Sequence, residues 1–250
     1  MRVFLIGGGL SPRGLRQTLG PFVGAARVGG AARIACVLVR SLPQRAAFGF
    51  YYAALATLGV AHVTPVYVSR ERPLRATDLT GATGVLVGGG LTPAYHAALV
   101  PTADEWLPGL RERNIPYAGY SAGAMIAPGT AIVGGWKVRA GGRDLMIGTR
   151  AASEGRAYLD CRSGLGLVPF LVDVHAAQWG TLGRLLHAVG AGHGAEGWAI
   201  DEGTVVEVAD GAATVRGLGA AYRVRRGDEG LSVEPLTSGA SRRFQPPAHE

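Results

Sequence analysis

Residues 115–127 read Ile115-Pro116-Tyr117-Ala118-Gly119-Tyr120-Ser121-Ala122-Gly123-Ala124-Met125-Ile126-Ala127. The run Ile115–Gly119 is strand-like, and Ala124–Ala127 suits a helix. Between them stands Gly-x-Ser-x-Gly, in the strand-to-helix setting that a nucleophile elbow requires. The reason is steric. In so tight a turn the residues two before and two after the serine approach too closely for side chains, so both are glycine. The turn lifts the Ser121 hydroxyl clear of a sheet. The helix start behind it directs free backbone N–H groups toward a reacting oxygen, with the N–H of Ala122 as one oxyanion donor.

The chain around this stretch alternates in the same way. Apolar, β-branched runs at Val3–Ile6, Arg33–Val39, Ala61–Val68 and Gly84–Val87 end in turn residues. Helical patterns at Leu15–Ala26, Gln44–Leu58, Pro93–Leu99 and Ala103–Arg113 separate them. Such βαβ units imply a mostly parallel sheet, whose strands are apolar throughout because both faces are covered. Beyond Pro128 the pattern changes. Gly134–Arg156 reads as loops or a hairpin, Leu171–His175 as a strand end and Thr181–Val189 as a helix. Trp198–Ile200, Val205–Val208 and Ala220–Arg226 read as strands of a closing antiparallel portion. Residues 1–237 are expected to form a single α/β domain, and residues 238–250 a flexible tail.

Composition narrows the function. With 48% hydrophobic and 17% charged residues the chain is globular rather than disordered. All 25 basic residues but Lys137 are arginine, and the net charge is +7. The arginines are scattered without basic runs or interleaved aromatics, so neither nucleic acid nor a membrane is an expected partner. No apolar stretch reaches spanning length and the N-terminus lacks a cleavage site, so a cytoplasmic location is expected. Cys36 and Cys161 sit in or beside apolar segments, as reduced thiols do. The assembly state is not legible, and a homodimer is one option left open.

A serine nucleophile needs a neutral imidazole. Of the six histidines, His249 lies in the tail, His62 opens a strand, His96 and His187 lie in helical patterns, and His193 is in a glycine loop. His175 ends an apolar run, at the carboxyl edge of a strand, where open α/β sheets bind ligands. The acid that orients it is Asp201 or Glu202, at the end of Trp198–Ile200. Gly88-Gly89-Gly90 closes a strand one βα unit before the serine, and Gly90 is the candidate second oxyanion donor. A phosphate loop is excluded there: no Lys-Ser/Thr follows, and neither glycine triplet has dinucleotide-binding spacing.

Together, Ile6-Gly7-Gly8-Gly9, Gly88-Gly89-Gly90-Leu91-Thr92, Gly119-Tyr120-Ser121-Ala122-Gly123-Ala124, His175 and Ile200-Asp201-Glu202-Gly203 resemble the peptidase E and cyanophycinase family of serine peptidases. The resemblance spans about Arg2 to Val208. It implies a class I glutamine amidotransferase-like fold, with a three-layer, doubly wound, mostly parallel sheet. It implies a Ser121–His175–Glu202 triad with Glu202 rather than Asp201 as the acid, oxyanion donors at Gly90 and Ala122, no metal or cofactor, and hydrolysis of small peptides with Asp or β-linked Asp. Gly89, Leu91, Thr92, Asp173 and Arg184 are the candidate substrate contacts. Two departures stand out. Peptidase E-like members carry Asn where this chain has Leu91, and of the arginines that follow the His in cyanophycinase-like members only Arg184 remains. A hydrophobic residue at position 91 points to a less acidic substrate. Two alternatives stay open: an esterase or amidase, for which a Ser121, Asp173 and His193 set would serve, and a non-catalytic binding protein on the same scaffold.

Overall fold

The computed structural model describes residues 1–9, 11–40 and 42–244. The first half alternates as the pattern requires: β1 (Val3–Ile6), α1 (Pro12–Ala26), β2 (Arg33–Val39), α2 (Leu42–Thr57), β3 (His62–Val68) and β4 (Gly84–Val87). Then come α3 (Thr92–Leu99), α4 (Ala103–Glu112), β5 (Tyr117–Tyr120) and the single-turn α5 (Ala122–Met125). Two short hairpin-like excursions follow, from β6 (Thr130–Gly134), β7 (Lys137–Ala140), β8 (Arg143–Met146) and β9 (Asp160–Ser163). The last part holds β10 (Leu171–Val174), the single-turn α6 (Ala176–Trp179), α7 (Leu182–Gly190), β11 (Glu196–Ile200), β12 (Thr204–Ala209), β13 (Ala212–Gly217), β14 (Ala220–Gly227), β15 (Gly230–Thr237) and β16 (Ser241–Arg243).

Among the described residues, eight strands form the large sheet in the order β16-β13-β12-β1-β5-β4-β2-β3. The five strands from β1 to β3 in that order run parallel, whereas β12, β13 and β16 extend the sheet antiparallel. The side-chain period of two divides its core. Phe4 and Ile6 of β1, with Ile34, Cys36 and Leu38 of β2, pack against α1 and α2. Val3 and Leu5, with Val85 and Val87, face α3, α4 and α5 on the opposite side. The protein is thus a mixed α/β structure with a large central sheet and helices on both its faces.

A second sheet, β10-β11-β14-β15, departs from the expected closing portion. Its β10 and β11 pair in parallel, so Trp198–Ile200 bridges a parallel and an antiparallel neighbour. The described part of the expected tail, residues 238–244, includes a short strand. Ser241–Arg243 pair with β13, Arg242 bonds Glu234, and the Phe244 ring packs edge-on against Phe170 at 5.5 Å. Residues 245–250 lie outside the described residues.

Candidate active site

The carboxyl ends of β1, β4, β5 and β10 and the turn after β11 converge on one point. At its centre is Ser121, with φ 50° and ψ −109°, a conformation in which a non-glycine residue is strained. A Cβ on Gly119 would fall 2.4 Å from the Gly123 carbonyl carbon, and one on Gly123 would fall 2.5 Å from the Val87 oxygen. No side chain fits at either glycine, as the elbow argument requires. The Tyr117 hydroxyl donates to the Gly123 oxygen at 2.8 Å, and the Ser121 N–H donates to the Ile6 oxygen at 2.9 Å, fixing the turn to two strands.

Ser121 Oγ lies 2.9 Å from His175 Nε2, and His175 Nδ1 lies 2.8 Å from Glu202 Oε1. The carboxylate at Nδ1 decides the tautomer: Nδ1 carries the proton, leaving Nε2 to accept from the serine. Burial holds the His175 imidazole below its ordinary value, opposed by the Glu202 hydrogen bond. A neutral, accepting base is the result. His175 is itself left-handed, at φ 56° and ψ 40°, and its N–H donates to the Gly7 oxygen at 3.1 Å.

Asp201 is not at the imidazole. Its Oδ1 accepts the Ala177 N–H at 2.9 Å and its Oδ2 accepts the Ala220 N–H at 3.0 Å. It ties α6 to the start of β14, so the carboxylate beside the histidine is Glu202. Gln178 completes that corner, its Oε1 accepting the Glu202 N–H at 2.9 Å.

The glycine triplet after β4 divides its roles. The Gly89 N–H donates to the Tyr51 hydroxyl at 2.9 Å, and the Gly89 oxygen accepts from the Tyr95 hydroxyl at 3.1 Å. A Cβ on Gly89 would sit 3.2 Å from the Ser121 Cβ, so the backbone here passes directly beside the serine. Gly90 follows with φ 150°, a glycine conformation. Neither its N–H nor that of Ala122, the first residue of α5, is bonded within the described residues.

Three candidate substrate contacts are elsewhere engaged. Arg184 and Asp173 are 2% and 0% exposed and form a two-pronged ion pair, with both N–O distances 2.7 Å. Arg184 also donates to the Gly135 and Ala152 oxygens. It clamps the β6 excursion to β10 and offers nothing to a substrate. Thr92 is fully buried, its N–H donating to Glu154 Oε2 at 3.0 Å and its hydroxyl to Met125 Sδ at 3.5 Å. Leu91, by contrast, is 63% exposed at the mouth of the glycine loop. Because Asp173 is bound to Arg184, it cannot serve as an acid for His193. His193 lines a cleft of about 940 Å³ whose walls do not include Ser121.

The sequence reading missed the packing role of the first triplet. A Cβ on Gly8 would fall 2.2 Å from His175 Cε1, and one on Gly9 would fall 2.8 Å from Glu202 Cβ. These glycines leave the space that the imidazole and the acid occupy. It also missed the tyrosines that hold the loops: Tyr51, Tyr95 and Tyr120, whose hydroxyl donates to the Gly9 oxygen. Glu154, left-handed at φ 54°, braces the start of α3, and burial raises its carboxyl against the pull of the Thr92 N–H. Position in a glycine-rich loop carried no signal for it.

Among the described residues no group of three or more His, Cys, Asp or Glu is placed to hold a metal ion, and no helix is long and apolar enough to cross a membrane. No family model and no curated protein matches the chain. Solved structures do. A peptidase from an acI-B1 Actinobacterium superimposes with a TM-score of 0.67 at 16% identity, over 97% of this chain and 96% of that one. A provisionally named peptidase E protein from Listeria monocytogenes EGD-e gives 0.49 at 14% identity, over 94% and 98%. From end to end, the chain shares the fold of the actinobacterial peptidase.

Proposed function

We propose that the protein is a serine peptidase of the peptidase E kind, on a three-layer amidotransferase-like scaffold, acting on small peptides. The hydrogen-bonded line Ser121–His175–Glu202 carries this reading. Its chain order, Ser then His then acid, differs from the Ser, acid, His order of α/β-hydrolases. The fold shared with a peptidase supports it.

In the proposed reaction His175 Nε2 takes the Ser121 proton as Oγ attacks the amide carbonyl. Glu202 stabilises the imidazolium, and the N–H groups of Gly90 and Ala122 hold the oxyanion. The imidazolium then protonates the leaving amine, and water, deprotonated by the same histidine, releases the acyl group. A dipeptide or other short peptide is the proposed substrate. Leu91 at the loop mouth and the burial of Arg184 favour a neutral residue next to the scissile bond over Asp or isoaspartate. The free thiols of Cys36 and Cys161 fit a cytoplasmic location.

A dipeptide and isoaspartyl-peptide library assayed with the wild type and Ser121→Ala tests the proposal. Turnover that falls on the order of 10⁴-fold or more in the variant is expected. Unchanged turnover, or none by the wild type across the library, would overturn it.

A further inference from the structure

The arginines that look scattered in sequence are not all scattered in space. Arg223 and Arg225 stand two residues apart on β14 and so share a face, and Arg226 and Arg243 join them around the cleft of about 940 Å³. Among the described residues one carboxylate, Glu196, faces these four guanidinium groups from the lining, and it is already committed. Its Oε2 accepts from Arg223 Nη2 at 2.7 Å and its Oε1 accepts from Trp198 Nε1 at 2.8 Å. The nearby Glu234 is taken by Arg242. Arg225, Arg226 and Arg243 form no ion pair among the described residues.

A second observation points the same way. Arg223 is 8% exposed, and its Nε is the buried side-chain polar atom left without a hydrogen-bond partner among the described residues. Buried donors are paired almost without exception, and leaving one orphaned is unfavourable. Among the described residues the one carboxylate of the lining is already taken, so a cleft that concentrates this much positive charge suits an incoming acceptor. Phe170 and Phe244 add an aromatic wall. The volume suits a small molecule, since such sites run from roughly 300 to 1,000 Å³.

We propose that this cleft binds a small organic anion carrying two or more phosphate or carboxylate groups. The oxyanions pair with Arg225, Arg226 and Arg243, and an oxygen reaches the Arg223 guanidinium. The body of the ligand lies against Phe170 and Phe244. None of Ser121, His175 and Glu202 lines the cleft, so this site is independent of the peptidase reading.

Titration calorimetry with inorganic pyrophosphate and, separately, citrate tests this on the full chain. The comparison proteins are Ser121→Ala and the double variant Arg225→Ala/Arg243→Ala, whose exposed side chains can be removed without opening the core. One-to-one binding by the wild type and by Ser121→Ala is expected, weakened about tenfold or more in the double variant. Tighter binding of pyrophosphate identifies a phosphate ligand, and tighter binding of citrate a carboxylate. No binding of either probe at millimolar concentration would overturn the proposal, as would equal affinity in the double variant.

Discussion

The indole of Trp179 lies flat on the imidazole of His175, with ring centroids 3.9 Å apart and planes 10° from parallel. The contact is built by one turn of helix. The Trp179 N–H donates to the His175 oxygen at 2.8 Å, and left-handed Gly180 stops the turn at once. The Gly8 backbone covers another part of the ring. The base is therefore clamped, and burial lowers its pKa.

A histidine held below its ordinary value stays neutral, and able to accept a proton, as pH falls past about 6.5. The acid limb of kcat/KM should accordingly lie below that value. Trp179→Ala admits water to one face of the ring and so removes part of the burial that lowers its pKa. The limb should move to higher pH, and kcat should fall about tenfold as the ring loosens. Trp179→Phe should restore much of both. A pH–rate profile, with the imidazole titrated by NMR, checks this.

Gly8→Ala should abolish activity. The new methyl would lie 2.2 Å from His175 Cε1, at a backbone φ of 107° that strains any L side chain. Loss of turnover by at least about 100-fold is expected, since a displacement of about 1 Å can cost that much. Circular dichroism should show a folded protein.

Arg184→Ala should act on stability. Removing one partner of a buried ion pair leaves an unpaired charge, at a cost of about 3–5 kcal/mol. Asp173 would be that charge. Urea unfolding should show the loss. The KM ratio between acidic and neutral dipeptides, measured on the folded fraction, should not change.

Glu202→Gln and Asp201→Asn should separate. The first replaces the acceptor at His175 Nδ1 and should lower kcat on the order of a thousandfold or more. The second turns one of two acceptors into a donor that faces a backbone N–H, so one of the two bonds is lost, and stability should fall by roughly 1–3 kcal/mol, with most activity kept. Kinetics paired with thermal unfolding distinguishes them.

The elbow was legible because its constraint is local: Gly119, Ser121 and Gly123 meet within five residues. β2 was legible because a buried parallel strand is apolar from end to end. β15 was not, since Gly230–Thr237 carries Glu234 and Pro235 and is largely exposed. Asp201 and Glu202 were equal candidates because adjacent residues differ in which way they point, and only the backbone hydrogen bonds of Asp201 separate them. Arg184 looked like a substrate contact because its partner Asp173 lies on a different element. Nothing in the spacing of the two declares an ion pair. The role of Gly8 was hidden for the same reason: the ring it makes room for is 167 positions away.

The central claim is that Ser121 is a nucleophile activated by His175. Labelling with a fluorophosphonate and locating the adduct by peptide mass spectrometry tests it most directly. A single adduct on Ser121 is expected in the wild type, near-complete loss in His175→Ala, and none in Ser121→Ala. An unlabelled Ser121 in folded, peptide-cleaving protein, or full labelling of Ser121 in His175→Ala, would contradict it.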